Sequence, residues 1–244
     1  MSDYYVGSVA RGDVWLAVAY TDDGYDHATV VGGVGELWTR YEETAAAVAV
    51  DVPVGLETAT APRPNERAAV EFLGARREAV VPAPVREAAR KQRYPTAARV
   101  HERKTGGDLP RAAFERARLV TAVDEFMTTI DDARGVFLEA HPELCYRAFA
   151  GEPPTERPDV AAGYAERMRV LAEFDPDAPP TVQSVAEATE DHPVPIPAVL
   201  DAVALALTVR PGPGSRRSLP PEPPTDDEGL PLRYVYRAET PLSS

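Results

Sequence analysis

A chain of 244 residues that is 44% hydrophobic can bury a substantial core, which excludes wholesale disorder. Its single cysteine, Cys145, excludes an internal disulfide framework and a thiolate-based zinc site. The net charge of −13 opposes any partner held by phosphate attraction, except in concentrated salt, where that attraction is weak in any case.

The first fifty residues read as strands followed by one helix. Tyr4 to Val9 and Val14 to Tyr20 are β-prone runs joined by an Arg11-Gly12-Asp13 turn, and Ala28 to Val34 follows the turn at Thr21–Gly24. Together they predict a three-stranded meander. Trp38 to Ala46 suits a short helix, and Ala47 to Val50 a buried strand that ends at Asp51 before Pro53 and Gly55.

Asn65 to Leu73 is helical in pattern, and Glu87 to Arg103 is a basic helical stretch broken near Pro95. Pro110 to Ile130 carries Phe114, Leu119, Val123, Phe126 and Ile130 at helical spacing. Gly135 to Glu139 predicts a short strand, and Asp159 to Phe174 a helix. Ile196 to Val209 predicts an alanine-rich apolar helix, with Pro197 near its start and Pro211-Gly212 beyond its end. Residues 211–228 read as an exposed loop, and Leu232 to Tyr236 as a closing edge strand. The expected architecture is one α/β domain over 1–244: a mixed sheet flanked by helices, with 57–130 as a helical insertion.

Three segments stand out for their acids. Asp51 follows an apolar strand, where α/β sheets project groups into a ligand crevice; it is equally a turn former whose carboxylate takes backbone N–H groups. In Leu138-Glu139-Ala140-His141-Pro142-Glu143, a continuing strand would put Glu139, His141 and Glu143 on one side. Those are donors for a divalent cation or for proton transfer. If Pro142 ends the strand, Glu143 instead opens a helix. For His141 alone a structural role is the plainer expectation. Asp201 lies in an otherwise apolar helix, so burial conflicts with its charge unless it has a task there.

Only Lys91 and Lys104 are lysines, and acidic excess with scarce lysine is the composition of proteins soluble in concentrated salt. An acidic protein from a GC-rich genome is the alternative. The stretch Arg86 to Lys104 reverses this acidity, so Arg90, Lys91, Arg93, Arg103 and Lys104 are candidate nucleic-acid contacts, or else a solvated face paired with acids. No phosphate-cradling glycine loop, zinc spacing or Gly-x-Ser-x-Gly elbow is present. The N-terminal MSDYYVGSVARGD has no signal-peptide pattern and no apolar run is long enough for a bilayer, so a cytoplasmic protein without membrane contact is expected.

The order Asp51-x-Pro-x-Gly-Leu, Leu73-Gly74-Ala75-Arg76, Glu139-x-His-Pro-Glu and Leu200-Asp201-Ala202 resembles the family catalogued as domain of unknown function 429. Arg67, Thr105-Gly106, Val123-Asp124, Gly163, Arg167 and Gly229-Leu230-Pro231 agree with it, so the likeness runs over roughly residues 5–236. The resemblance implies a ribonuclease-H-like fold and a nuclease or phosphodiesterase dependent on Mg²⁺ or Mn²⁺. Asp51, Glu139 and Asp201 would then hold metal, and His141 or Glu143 would assist proton transfer. Two departures stand against it. Ser8 takes the place of the family's first-strand Asp, with Asp13 the nearby acid, and the usual glutamine is missing near Pro110-Arg111. Serine is a poor ligand for a hard cation, so a catalytically degenerate module that binds nucleic acid or a protein is the competing expectation.

Overall fold

The computed structural model describes residues 3–12, 14–192 and 194–242. Strands β1 (Tyr4–Arg11), β2 (Val14–Thr21) and β3 (Gly24–Val31) form the expected antiparallel meander. The third strand begins four residues earlier than its apolar run suggests. As an edge strand it accommodates the polar Asp26 and His27 while pairing with β2.

Helix α1 (Val34–Tyr41) leads to β4 (Ala45–Val50), which lies parallel to β1. Between β4 and the short β5 (Phe137–Glu139) come α2 (Pro64–Leu73), α3 (Arg86–Ala89), α4 (Tyr94–Thr105), α5 (Arg111–Glu115) and α6 (Ala117–Thr129). The apolar spacing over 110–130 predicted one helix; Arg116 breaks it in two. β5 pairs parallel to β4, which closes a mixed five-stranded sheet of order β3-β2-β1-β4-β5.

Four helices follow: α7 (Pro142–Ala150), α8 (Ala161–Phe174), α9 (Ala178–Ala188) and α10 (Ile196–Val209). The sequence hid α9 behind Pro179-Pro180, yet prolines are tolerated in a first turn because their missing N–H has no helical partner there. Residues 211–228 are mostly exposed but are more than a loop. They contain β6 (Ser215–Leu219), which pairs antiparallel with β7 (Tyr234–Ala238). The last strand therefore belongs to a separate two-stranded sheet and does not close the main one.

Strand alternation sorts the core onto two faces. Val9, Leu16, Val18, Ala49 and Leu138 pack with α10, whereas Val6, Ala17, Val48, Val50 and Phe137 pack with α1 and α6. Helix α10 crosses β1 so closely that a Cβ at Gly7 would stand 2.1 Å from the Ala202 carbonyl oxygen. That approach brings the first half of α10 to the C-terminal ends of β1 and β4.

Candidate functional site

A cleft of about 460 Å³ opens at those strand ends and is lined by Arg11, Asp51, Arg76, Arg116, His141, Glu143 and Asp201, among others. Asp51 comes directly after β4. One of its oxygens accepts the Ala10 N–H at 3.0 Å and the other takes Arg11 Nη1 at 2.6 Å. Asp51 faces the crevice, and the backbone N–H it takes belongs to Ala10 on β1, not to a turn of its own.

Asp201 enters from α10, and its Oδ2 accepts Arg11 Nη2 at 3.0 Å. One guanidinium thus spans the two acids. Arg116, at the break between α5 and α6, donates to the Asp51 carbonyl oxygen at 2.8 Å and lies 3.6 Å from its carboxylate. The carboxylates are nearly buried, at 5% and 10% exposure, while Arg11 is at 35%.

Burial raises the Asp201 carboxyl to about 7, with Asp51 and Glu143 adding to the rise and Arg11 opposing it. Burial also works against the charge on Arg11, but Asp51 and Asp201 outweigh it and raise its pKa. The site therefore couples a proton at Asp201 to a fixed cation beside it.

The strand ends at Glu139, ahead of Pro142, and does not continue through His141 and Glu143. Pro142 is in the first turn of α7, so Glu143 opens that helix and His141 is its N-cap residue. Glu143 accepts two bonds from Arg167 Nη2, at 2.6 and 2.8 Å, with Arg76 at 3.4 Å. His141 meets the Ala79 carbonyl oxygen through Nε2 at 3.3 Å, and its buried Nδ1 has no partner. Burial lowers its pKa, which favours the neutral ring.

Glu139 does not join the other acids. It is 3% exposed, does not line the cleft, and shares the face of Phe137. Arg63 binds both its oxygens, at 2.9 and 2.6 Å, and the Val54 N–H adds a bond at 3.1 Å. Burial raises its pKa despite that arginine.

Ser8 also points away from the cleft. It is fully buried and donates its hydroxyl to the Leu16 carbonyl oxygen at 3.0 Å. Alternation along β1 puts Val9 and Arg11, not position 8, on the face of α10. Asp13 lies outside the described residues.

These placements bear on the expected Mg²⁺ or Mn²⁺. Among the described residues no group of three or more His, Cys, Asp or Glu side chains is arranged to hold a metal ion. Of the three expected ligands, two are bridged by Arg11 and the third is held by Arg63. A hard cation can be held by one or two carboxylates with water completing its shell, but here a guanidinium already sits against each of these acids. With Arg11 between Asp51 and Asp201, the pair in this arrangement does not fit a second cation.

The basic stretch is partly neutralised. Lys91, Arg103 and Lys104 gather around Glu87 at 3.6, 3.5 and 3.2 Å, and Arg90 reaches buried Asp124 at 3.2 Å. Arg93 is exposed. Of the cleft arginines, Arg76 was quoted only within the Leu-Gly-x-Arg motif and Arg11 only within a turn; none of Arg11, Arg76 and Arg116 was named as a site residue from the sequence. The one available signal was Arg11's parity with Val9 on a strand ending beside Asp51.

The protein is thus an α/β protein with a cleft of acids and arginines at the C-terminal edge of a mixed sheet. The family described as protein of unknown function (DUF429) matches over residues 10–225, and the chain belongs to it. No curated protein and no solved structure matches the chain. Among the described residues no helix is long and apolar enough to cross a membrane.

Proposed function

We propose that this chain is a ribonuclease-H-like protein that binds nucleic acid at the cleft without metal-dependent hydrolysis by the Asp51–Asp201 pair. The observation that carries this is the Arg11 guanidinium between the two carboxylates. A meander followed by two strands parallel to its first, with a helix acid brought to the strand ends, supports the ribonuclease-H-like part. Arg76 and Arg116, which line the same cleft beside the Arg11 bridge and its acids, support phosphate contact, because guanidinium forks suit phosphate oxygens. A cytoplasmic location goes with a lone buried thiol.

A second reading is a Mg²⁺- or Mn²⁺-dependent nuclease, favoured by the convergence of Asp51 and Asp201 on one side chain. Calorimetric titration with Mn²⁺, alongside binding and cleavage of RNA, DNA and their hybrid from low to high salt, separates the two. Binding that weakens with salt and with Arg116→Glu, without Mn²⁺ heat or cleavage, is expected. Mn²⁺-dependent cleavage by the wild type that Asp51→Ala or Asp201→Ala abolishes would overturn the proposal in favour of the nuclease.

A further inference from the structure

The cleft does not end at its arginines. A second depression of about 430 Å³ shares Glu115 and Leu119 with it, and a third of about 690 Å³ shares Glu115, Arg118 and Ala122 with the second. The three depressions thus adjoin at shared residues around the α5–α6 corner. The route from Arg116 to Ala122 covers about 9 Å along α6.

The third depression differs in chemistry from the cleft. Ala89, Ala117 and Ala122 line it beside the ring of Phe114, with three cations, Arg90, Lys91 and Arg118, against two acids, Glu115 and Glu125. Phe114 is held edge-on by Tyr94, with ring centroids 5.5 Å apart at 70°. Gln92 and Thr121 add donors and acceptors of both kinds. The volume suits a small planar ligand unit. An apolar floor, a fixed aromatic ring and cations beside it are what an unstacked nucleobase with its phosphate needs.

We infer that a single-stranded nucleic acid runs from the cleft over the α5–α6 corner and seats a base against Phe114 in this groove. The inference rests on the nucleic-acid reading of the cleft and names the form of the partner. A duplex keeps its bases stacked and offers only their edges, so it cannot fill the groove. Arg90 pairs with Asp124, Lys91 with Glu87, and Arg116 lies 3.6 Å from Asp51, so a strand's phosphates would compete for these cations; the lining of the third depression still carries one more cation than acid, in a chain of net charge −13.

Fluorescence polarisation with dye-labelled single strands of about 12 nucleotides tests this against the matching duplex and a mononucleotide. The single strand should bind most tightly. Phe114→Ala should weaken it about fivefold or more. Phe114 also packs on Tyr94, so Ala122→Glu is the companion variant: an exposed position where a carboxylate blocks the path without touching the core. Circular dichroism confirms that both variants fold.

Wild-type binding weakened by Arg116→Glu but unchanged by both groove variants overturns the groove and leaves the cleft reading intact. Tighter binding of duplex, or a mononucleotide bound as tightly as the strand, also overturns it. If no nucleic acid binds at any salt concentration, the cleft reading falls and the groove falls with it.

Discussion

Arg11 and Asp51 meet at 2.6 Å across 40 residues of sequence, and the same guanidinium reaches Asp201 a further 150 residues on. Three separate elements, β1, the end of β4 and α10, are therefore fastened by one side chain. Two carboxylates this near each other repel, and a cation between them removes that penalty. Here the cation is covalently part of the chain.

Arg11→Ala should consequently leave two facing acids without compensation. A fully buried pair broken on one side loses about 3–5 kcal/mol; Arg11 is 35% exposed, so water replaces part of its effect. We expect a loss of about 2 kcal/mol in urea unfolding at pH 8. The loss should shrink near pH 5, where Asp201 is protonated. An equal loss at both pH values would show that the charge of Asp201 has no part in the bridge.

Asp201 sets a second pH dependence, whose sign follows from its raised pKa. Between 3.8 and about 7 the folded chain keeps a proton that the unfolded chain has released. The stabilisation from this group is fully present below 3.8 and is lost as pH rises through about 7. Wild type should therefore lose stability relative to Asp201→Asn over that interval, by up to about 1.4 kcal/mol per pH unit. Denaturant midpoints of the two proteins measured across pH 4 to about 8 give the slope. A constant difference between them would place the Asp201 pKa in the ordinary carboxylate range.

The legible parts of this molecule were those set by local pattern. Alternation and turn residues marked the meander, and Pro53 with Gly55 marked the end of β4 at Asp51, so one site acid was found from sequence. Asp201 was visible as a charge in an apolar helix. Glu139 looked equivalent to them because a strand end carries no label for which face its last residue takes. Its parity with Phe137 buries it on the opposite face, with Arg63 as its partner. The arginines were illegible for a related reason: Arg11 gains its role only when β1 and β4 pair and α10 lands on Gly7.

That landing gives a third prediction. A methyl on Gly7 would come within 2.1 Å of the Ala202 oxygen and 2.3 Å of the Ala206 nitrogen, both rigid backbone atoms. Gly7→Ala should cost about 3 kcal/mol, the upper part of the usual overpacking range. It should also push α10 outward and part Asp201 from Arg11. Thermal unfolding gives the first effect. The second appears as loss of the Asp201-dependent pH slope in whatever fraction remains folded. A neutral outcome would mean that helix and strand are not in this close contact.

Glu139 offers the cleanest separation between a structural acid and a ligand. Arg63 is 1% exposed and lies between Glu139 and Glu66, so removing Glu139 strands a buried guanidinium with half its partners. Glu139→Ala should cost about 3–5 kcal/mol, while nucleic-acid affinity of the folded protein stays unchanged. A metal ligand would behave oppositely. Like charges would be relieved by its loss, stability would hold or rise, and any Mn²⁺ heat would vanish. Unfolding in urea beside Mn²⁺ titration of the same variant therefore decides between them, because no single change in Glu139 can satisfy both patterns.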